Sequence, residues 1–346
     1  MQTVRINLYS DTQSQPTPGM RQAMAQAEVG DEQHRLDPSV NRLCEQVAEL
    51  LGKEDAVFLP SGTMCNQIAL AAHCSAGDEI IADRSAHIIN FEAGGPASLA
   101  RAIVYPLEGR SGIFGPDDVE DAIRSGSLHA PRSRLVVVEQ TSNLGGGSVW
   151  PLKQLQAVSK VARDNDLSLH MDGARLMNAV VAAGVSAAEF AATVDSVWLD
   201  LSKGLGCPVG AVLAGSREFI HEAWRWKHRI GGAMRQAGVI AAAGSWALKH
   251  HVDRLTEDHE NAGLLADRVS ALDGVALIND KIETNMVFFD VSGTNLSAPE
   301  ISARLRERGI WIGAFDQKKM RAVTHLDVGR EDIIEASDTL ADILAQ

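Results

Sequence analysis

The sequence predicts an α/β fold: a large unit on a mostly parallel sheet, followed by a small α+β unit. Three observations predict it. Short runs rich in Val, Ile and Leu alternate with longer amphipathic stretches through most of the chain, the signature of strand–helix–strand crossovers. Beyond about residue 275 the strands flank a single helix instead. The length, 346 residues, exceeds what one hydrophobic core usually organises.

Taken in order, AVFLP (56–60), EIIAD (79–83), RLVVVEQ (134–140), LSLHMD (167–172), SVWLDLS (196–202) and GAVLAG (210–215) read as buried strands. MCNQIALAAHC (64–74), LKQLQAVSKVARDND (152–166) and RLMNAVVAAGV (175–185) read as helices between them. From about Gly238 a long Ala-rich helical stretch runs to about residue 272. VALIND (275–280), NMVFFDV (285–291), IWIGAF (310–315) and MRAVTHLD (320–327) are strand-like, with PEISARLRERG (299–309) as their helix and a terminal helix after them. The expected division is residues 1–250, including the N-terminal segment, and 251–346, with the boundary inside a helix.

Hydrophobic residues make up 45% and charged residues 22% of the chain, and the formal charge is −13. That balance argues against nucleic acid or an anionic membrane as partner, since both require basic patches. The four cysteines (Cys44, Cys65, Cys74, Cys207) form no CxxC pair and no zinc-ligand spacing, so they read as reduced thiols and no metal site is expected. The N-terminus has no apolar signal core, and no apolar run reaches membrane-spanning length. The expected location is the cytoplasm.

Four segments carry chemistry. In LDLSKGLGCPVGAVLAG (199–215), Lys203 follows a buried strand and enters a Gly-rich turn. Ser202, Gly204, Gly206 and Gly210 are expected to let the backbone approach a ligand closely. A lysine so held can lose its proton and form an imine, although a strand-end lysine is usually solvated. In HMDGARL (170–176), Asp172 ends an apolar strand where α/β sheets place ligands; the plain alternative is a helix cap. Lys203 comes 31 residues later, one strand–helix–strand step, so the two can sit on neighbouring strand ends. A carboxylate there could pair with the pyridine nitrogen of pyridoxal phosphate. In FLPSGTMCNQIALAAH (58–73), Ser61-Gly62-Thr63 opens a helix and could cup a phosphate. His87, in SAHIINFEAGG (85–95), follows a strand and could stack on a cofactor ring, though a lone His is more often structural. Neither a P-loop nor a GxGxxG fingerprint is present, which weighs against a nucleotide-binding protein.

Together these segments resemble the L-threonine aldolases of the low-specificity or L-allo type. PSGTMCNQIAL, HIINFEAGG, HMDGARLMNA, LSKGLGCPVG, GGAMRQAGVIAAAG and RAVTHLDVGRED follow one another in that family's order, after the opening SDTQSQPTPGMRQAMAQAEVGDE (10–32). The resemblance spans nearly the whole chain. It implies the aspartate aminotransferase-like fold (pyridoxal-phosphate fold type I) and retro-aldol cleavage of L-β-hydroxy-α-amino acids (threonine, allo-threonine or 3-phenylserine) to glycine and an aldehyde. It implies Lys203 as the Schiff-base lysine, Asp172 at the pyridinium nitrogen, and Arg175 near the cofactor's phenolic oxygen and the substrate carboxylate. It further implies His87 stacked on the ring and active in proton transfer, and Gly62 and Thr63 with Ser61 at the phosphate. Ser10 and Arg321 fall at the substrate carboxylate. Arg235 matches a residue that enters the site from a neighbouring subunit, so the resemblance implies a homodimer and usually a homotetramer.

Three positions depart from the pattern. Ser142, in Glu139-Gln140-Thr141-Ser142-Asn143, replaces a His expected near the substrate β-hydroxyl, and leaves room for a bulkier β-substituent. His34 replaces a Tyr and could take a polar role at the site. His228 replaces a Lys near the cofactor phosphate, whose charge Lys227 or Arg229 could supply instead. The proton acceptor is left open among His87, His34 and a water. Other pyridoxal-phosphate chemistry (β-elimination, racemisation) and a non-catalytic binding protein on this scaffold remain alternatives.

Overall fold

The computed structural model describes residues 4–345; residues 1–3 and 346 of the two expected units lie outside the described residues. After a short strand β1 (Ile6–Asn7), the chain lays down β2 (Asp55–Leu59), β3 (Glu79–Asp83), β4 (Ile103–Leu107), β5 (Ser133–Glu139), β6 (Ser168–Asp172), β7 (Ser196–Asp200) and β8 (Ala211–Gly215). The last seven form one sheet in the order β2-β8-β7-β6-β5-β3-β4. Strands β3 to β7 run parallel to their neighbours within that group, whereas β8 is antiparallel to both β2 and β7. The six expected strands each appear within about two residues of their expected ends. Their Val/Ile/Leu runs bury both faces, because helices cover the sheet on both sides.

The seventh strand, β4, escaped the sequence reading. Its run contains Pro106, which cannot donate to a ladder; the fold uses it at the sheet edge, where a missing N–H costs little. Local chemistry sets the helix ends. Asp37 accepts the N–H groups of Ser39 and Val40 to start the helix Pro38–Leu51, and Gly52 ends it in the left-handed conformation. Ser61 caps the helix Gly62–His73 by accepting the Met64 N–H.

The C-terminal sheet orders β12 (Gly313–Ala314), β13 (Lys319–Val323), β10 (Met286–Asp290) and β9 (Ala276–Leu277), all antiparallel. Its core packs Leu265 and Val269 against Phe289, Ile301, Leu305, Ile333 and Leu340. Three expectations change here. The single helix 238–272 is two helices, Gly238–His250 and Leu255–Ser270. Between them His251 closes the first helix, its N–H donating to the Ala247 carbonyl while its ring turns inward, Nδ1 2.7 Å from the Leu205 carbonyl. The run 310–315 splits: β11 (Ile310–Trp311) pairs with β1, while β12 pairs with β13. Finally, Ile6 and Leu8 pack in the C-terminal core, so the N-terminal strand, expected with the large unit, is built into the small one.

Candidate active site

The parallel strands end on one side of the sheet, and all of them but the edge strand β4 deliver a titratable group there. β3 leads into a helical turn at His87–Asn90; β5 ends on Glu139, β6 on Asp172 and β7 on Asp200. Three residues past β7, Lys203 Nζ lies 2.6 Å from Asp200 Oδ2. Lys203, His87, Arg175, Ser10 and Arg321 line one cavity of about 280 Å³, with Tyr9, Thr12, Phe91, Glu139, Asn143 and Ala174. The large unit supplies the lysine and β13 supplies Arg321, so the cavity lies where the two units meet.

Asp172 is buried just behind the cavity. Its Oδ2 accepts from Asn66 Nδ2 at 2.7 Å and its Oδ1 from the Ala174 N–H at 3.0 Å. Burial raises its pKa, although His87 and Lys203 oppose the shift. Asn66 is itself oriented. Its Oδ1 accepts from Trp198 Nε1 at 2.7 Å and lies 3.2 Å from His170 Nε2. His170 Nδ1 faces the Ser196 hydroxyl at 2.8 Å, and burial holds the ring's pKa down at about 3. The neutral ring therefore donates from Nε2 and accepts at Nδ1, which leaves the Asn66 amino group for the carboxylates of Glu92 and Asp172. Glu92 also accepts from His87 Nδ1 at 2.8 Å. Burial opposes protonation of His87, but the Glu92 bond and the charges of Asp172, Glu92 and Glu139 outweigh it and raise its pKa.

Arg175 does not stand free in the cavity. Asp11 grips it as a two-point fork, Nε to Oδ2 and Nη2 to Oδ1, both at 2.7 Å. Burial would raise the Asp11 pKa, but this guanidinium holds it well below the usual carboxylate range. Arg321 is the opposite case. Its terminal nitrogens reach only neutral oxygens, Asn143 Oδ1 at 3.2 Å and the Tyr9 carbonyl at 3.3 Å, and among the described residues it has no carboxylate partner. Burial and the Arg175 charge lower its pKa. An incoming carboxylate would relieve both.

The residues fit pyridoxal phosphate on three observations. Lys203 reaches the cavity. A buried carboxylate with a raised pKa, Asp172, is in direct ion-pair contact with no cation among the described residues, His87 and Lys203 acting on it only at longer range. At the start of the helix Gly62–His73, a Cβ on Gly62 would sit 2.2 Å from the Trp198 indole; only glycine lets the helix N-terminus settle over that ring, leaving Ser61 and Thr63 exposed beside it.

Several expected site residues stand elsewhere. Ser142 is buried and does not line the cavity; its Oγ accepts from the Gly145 N–H at 3.2 Å and packs on Gly112, while its neighbour Asn143 faces inward. The Lys203 turn glycines serve packing rather than ligand approach: Gly204 abuts Leu255, and Gly206 (φ +73°) and Gly210 (φ +110°) abut Leu326 and Phe58. Lys227 cannot supply a phosphate charge, because it is buried with Nζ 2.9 Å from Glu32 Oε2 and 2.8 Å from the Phe58 carbonyl. Arg229 stacks on Trp226, 4.2 Å from the ring centroid. His34 and Arg235 lie on the surface away from the cavity, flanking Asp31, which pairs with Arg235 at 2.8 Å.

Conversely, Asp11, Asn66, Glu92, Glu139, Asn143 and Asp200 received no role from the sequence. Glu139 and Asp200 each end a strand beside Asp172 or Lys203, which is a legible signal. Asn66, inside an apolar helix, becomes legible only through its three-dimensional partners.

The profile of a family described as beta-eliminating lyase matches residues 7–292. The chain is 41% identical over 333 residues to the low specificity L-threonine aldolase of Escherichia coli (strain K12), covering 96% of this chain and 97% of that one. It is 38% identical over 335 residues to low-specificity L-threonine aldolase 1 of Arabidopsis thaliana, covering 95% and 93%. Among solved structures, threonine aldolase of Leishmania major superposes with a TM-score of 0.83 at 20% identity, covering 98% and 99%. Aspartate aminotransferase of Thermus thermophilus superposes at 0.74 and 18% identity, covering 98% and 96%. At these identities the structural likeness speaks to the fold alone, which is the aspartate aminotransferase-like α/β fold expected from the sequence.

Proposed function

The chain belongs to the beta-eliminating lyase family, and on that footing we propose that it is an aldehyde-lyase cleaving L-threonine and related L-β-hydroxy-α-amino acids to glycine and an aldehyde. The single observation that carries this reading is the convergence of Lys203, His87, Arg175 and Arg321 on one cavity, with buried Asp172 behind it. Lys203 would hold pyridoxal phosphate, Asp172 would face its ring nitrogen, and Ser61, Gly62 and Thr63 would receive its phosphate. When bound, the cofactor supplies an electron sink for the bond broken at Cα. The chain's own residues do the rest. Arg321 takes the substrate carboxylate as a fork, with Ser10 beside it, and that clamp orients the Cα–Cβ bond for cleavage. Glu92 orients His87 and favours its protonated form, so the ring can hold and return a proton at the cavity wall. Arg175, held by Asp11, keeps a fixed positive charge at the cavity floor.

The proposal extends to assembly. His34, Asp31 and Arg235 share a face on which Leu36, Val29 and Val239 are 66%, 44% and 43% exposed. Apolar side chains left to solvent beside Arg235 support a second copy covering that face, a homodimer at minimum, in which Arg235 would enter the partner's site. Among the described residues no helix is long and apolar enough to cross a membrane. All four cysteines are unpaired, which supports a reducing, cytosolic setting.

The test is a substrate panel of threonine, allo-threonine and phenylserine, assayed for glycine and aldehyde. Wild-type protein with pyridoxal phosphate is expected to release both, and Lys203→Ala to lose the visible absorbance of lysine-bound cofactor together with turnover. Ammonia and a keto acid without glycine would overturn the aldolase reading in favour of elimination.

A further inference from the structure

The reaction above leaves Glu139 unused, yet the fold keeps it at the centre of the site. It ends β5, between β3 and β6, and stands in register with Asp172 on the next strand. Two buried carboxyl groups on adjacent strand ends repel one another when ionised. The arrangement persists because Glu139 satisfies two backbone donors. Its Oε2 accepts the His87 N–H at 3.0 Å, and its Oε1 accepts the Asn143 N–H at 2.9 Å. Asn143 in turn holds Arg321 through its side-chain oxygen.

We propose that Glu139 is a positioning residue, one carboxylate that ties the His87 turn to the Asn143 loop and, through Asn143, to the Arg321 fork. The inference rests on the proposed aldolase site and adds a role for a residue whose two carboxylate oxygens are both taken by backbone N–H groups. It links the group that handles the proton to the group that clamps the carboxylate, although these come from opposite units of the chain. Burial, and next the charge of Asp172, push the Glu139 pKa up to about 7. The two N–H bonds and the His87 charge oppose that rise, so the carboxylate depends on the contacts it organises.

The test uses holoenzyme and reads glycine affinity from the cofactor's visible absorbance. Glu139→Gln retains one acceptor oxygen for two N–H donors, and is expected to weaken glycine binding roughly tenfold. Asn143→Ala, which spares Glu139 and its backbone bonds, is expected to weaken glycine binding to a similar degree, and stands in should Glu139→Gln fail to fold. Combining Glu139→Gln with Arg321→Lys should cost less than the product of the two single effects, because both act through one line of contacts. Glycine affinity within about twofold of wild type in Glu139→Gln, or single effects that simply multiply, would overturn the role. Failure of the aldolase reading would show separately, as wild-type enzyme that releases no glycine from threonine.

Discussion

Arg175 and Arg321 are chemically identical and line one cavity, but their charges are met differently. Asp11 takes Nε and Nη2 of Arg175 in a buried two-point contact, whereas Arg321 meets only carbonyl oxygens. Removing a partner from a buried ion pair strands the other charge, so Asp11→Asn should destabilise the folded chain by about 3 kcal/mol, measured by denaturant unfolding at pH 7. The sign of the pH dependence follows from the depressed Asp11 pKa. Its stabilisation is fully present above the ordinary aspartate value of about 4 and is lost only as pH falls below it toward the folded value. The gap between wild type and Asp11→Asn should therefore be flat at neutral pH and narrow only on the acid side. Glu139 has the opposite sign. Its raised pKa favours the fold below about pH 4.5, and that contribution fades as pH rises toward about 7.

The turn at Glu32–His34 and the loop before the helix Gly238–His250 are held together from beneath. Lys227, on the helix Arg217–Arg229, is buried against Glu32 and the Phe58 carbonyl, and Glu32 also accepts the Met234 N–H. One ion pair thus sets where both His34 and Arg235 emerge. Breaking it by Lys227→Met should cost about 3–5 kcal/mol, and Glu32→Gln added to Lys227→Met should restore part of the loss, since no buried charge then stands alone. Unfolding midpoints of the three variants against wild type would check this. A double variant no more stable than Lys227→Met would mean that the lysine's packing, rather than its charge, does the holding.

Across the whole chain, the cavity is assembled from two cores, and His34 and Arg235 lie on the surface away from it. Sharing of sites between copies makes a distinct prediction. Lys203→Ala and Arg235→Ala should each be inactive alone, but mixed after dissociation they should regain activity, because some hybrid sites receive both wild-type residues. Absence of recovery in a hybrid shown to form would remove Arg235 from the partner's site.

Legible in the residue order are the α/β class, six of the seven strands of the main sheet, and the spacing that sets Asp172 and Lys203 on adjacent strand ends. These are local properties: apolar runs, turn residues and a crossover of fixed length. The order of motifs also points to the family. Which polar groups are free to act depends instead on contacts between distant segments. Ser142 and Asn143 are neighbours in the chain, but the loop turns one toward Gly112 and the other toward Arg321. Lys227 and Lys203 each pair with a buried carboxylate, yet Glu32 holds the first wholly inside the core while the second, beside Asp200, still reaches the cavity. A charged side chain's availability depends on which buried partner reaches it, and Asp11 reaches Arg175 across 164 residues of sequence. No local pattern encodes a contact of that separation; packing two cores against each other does.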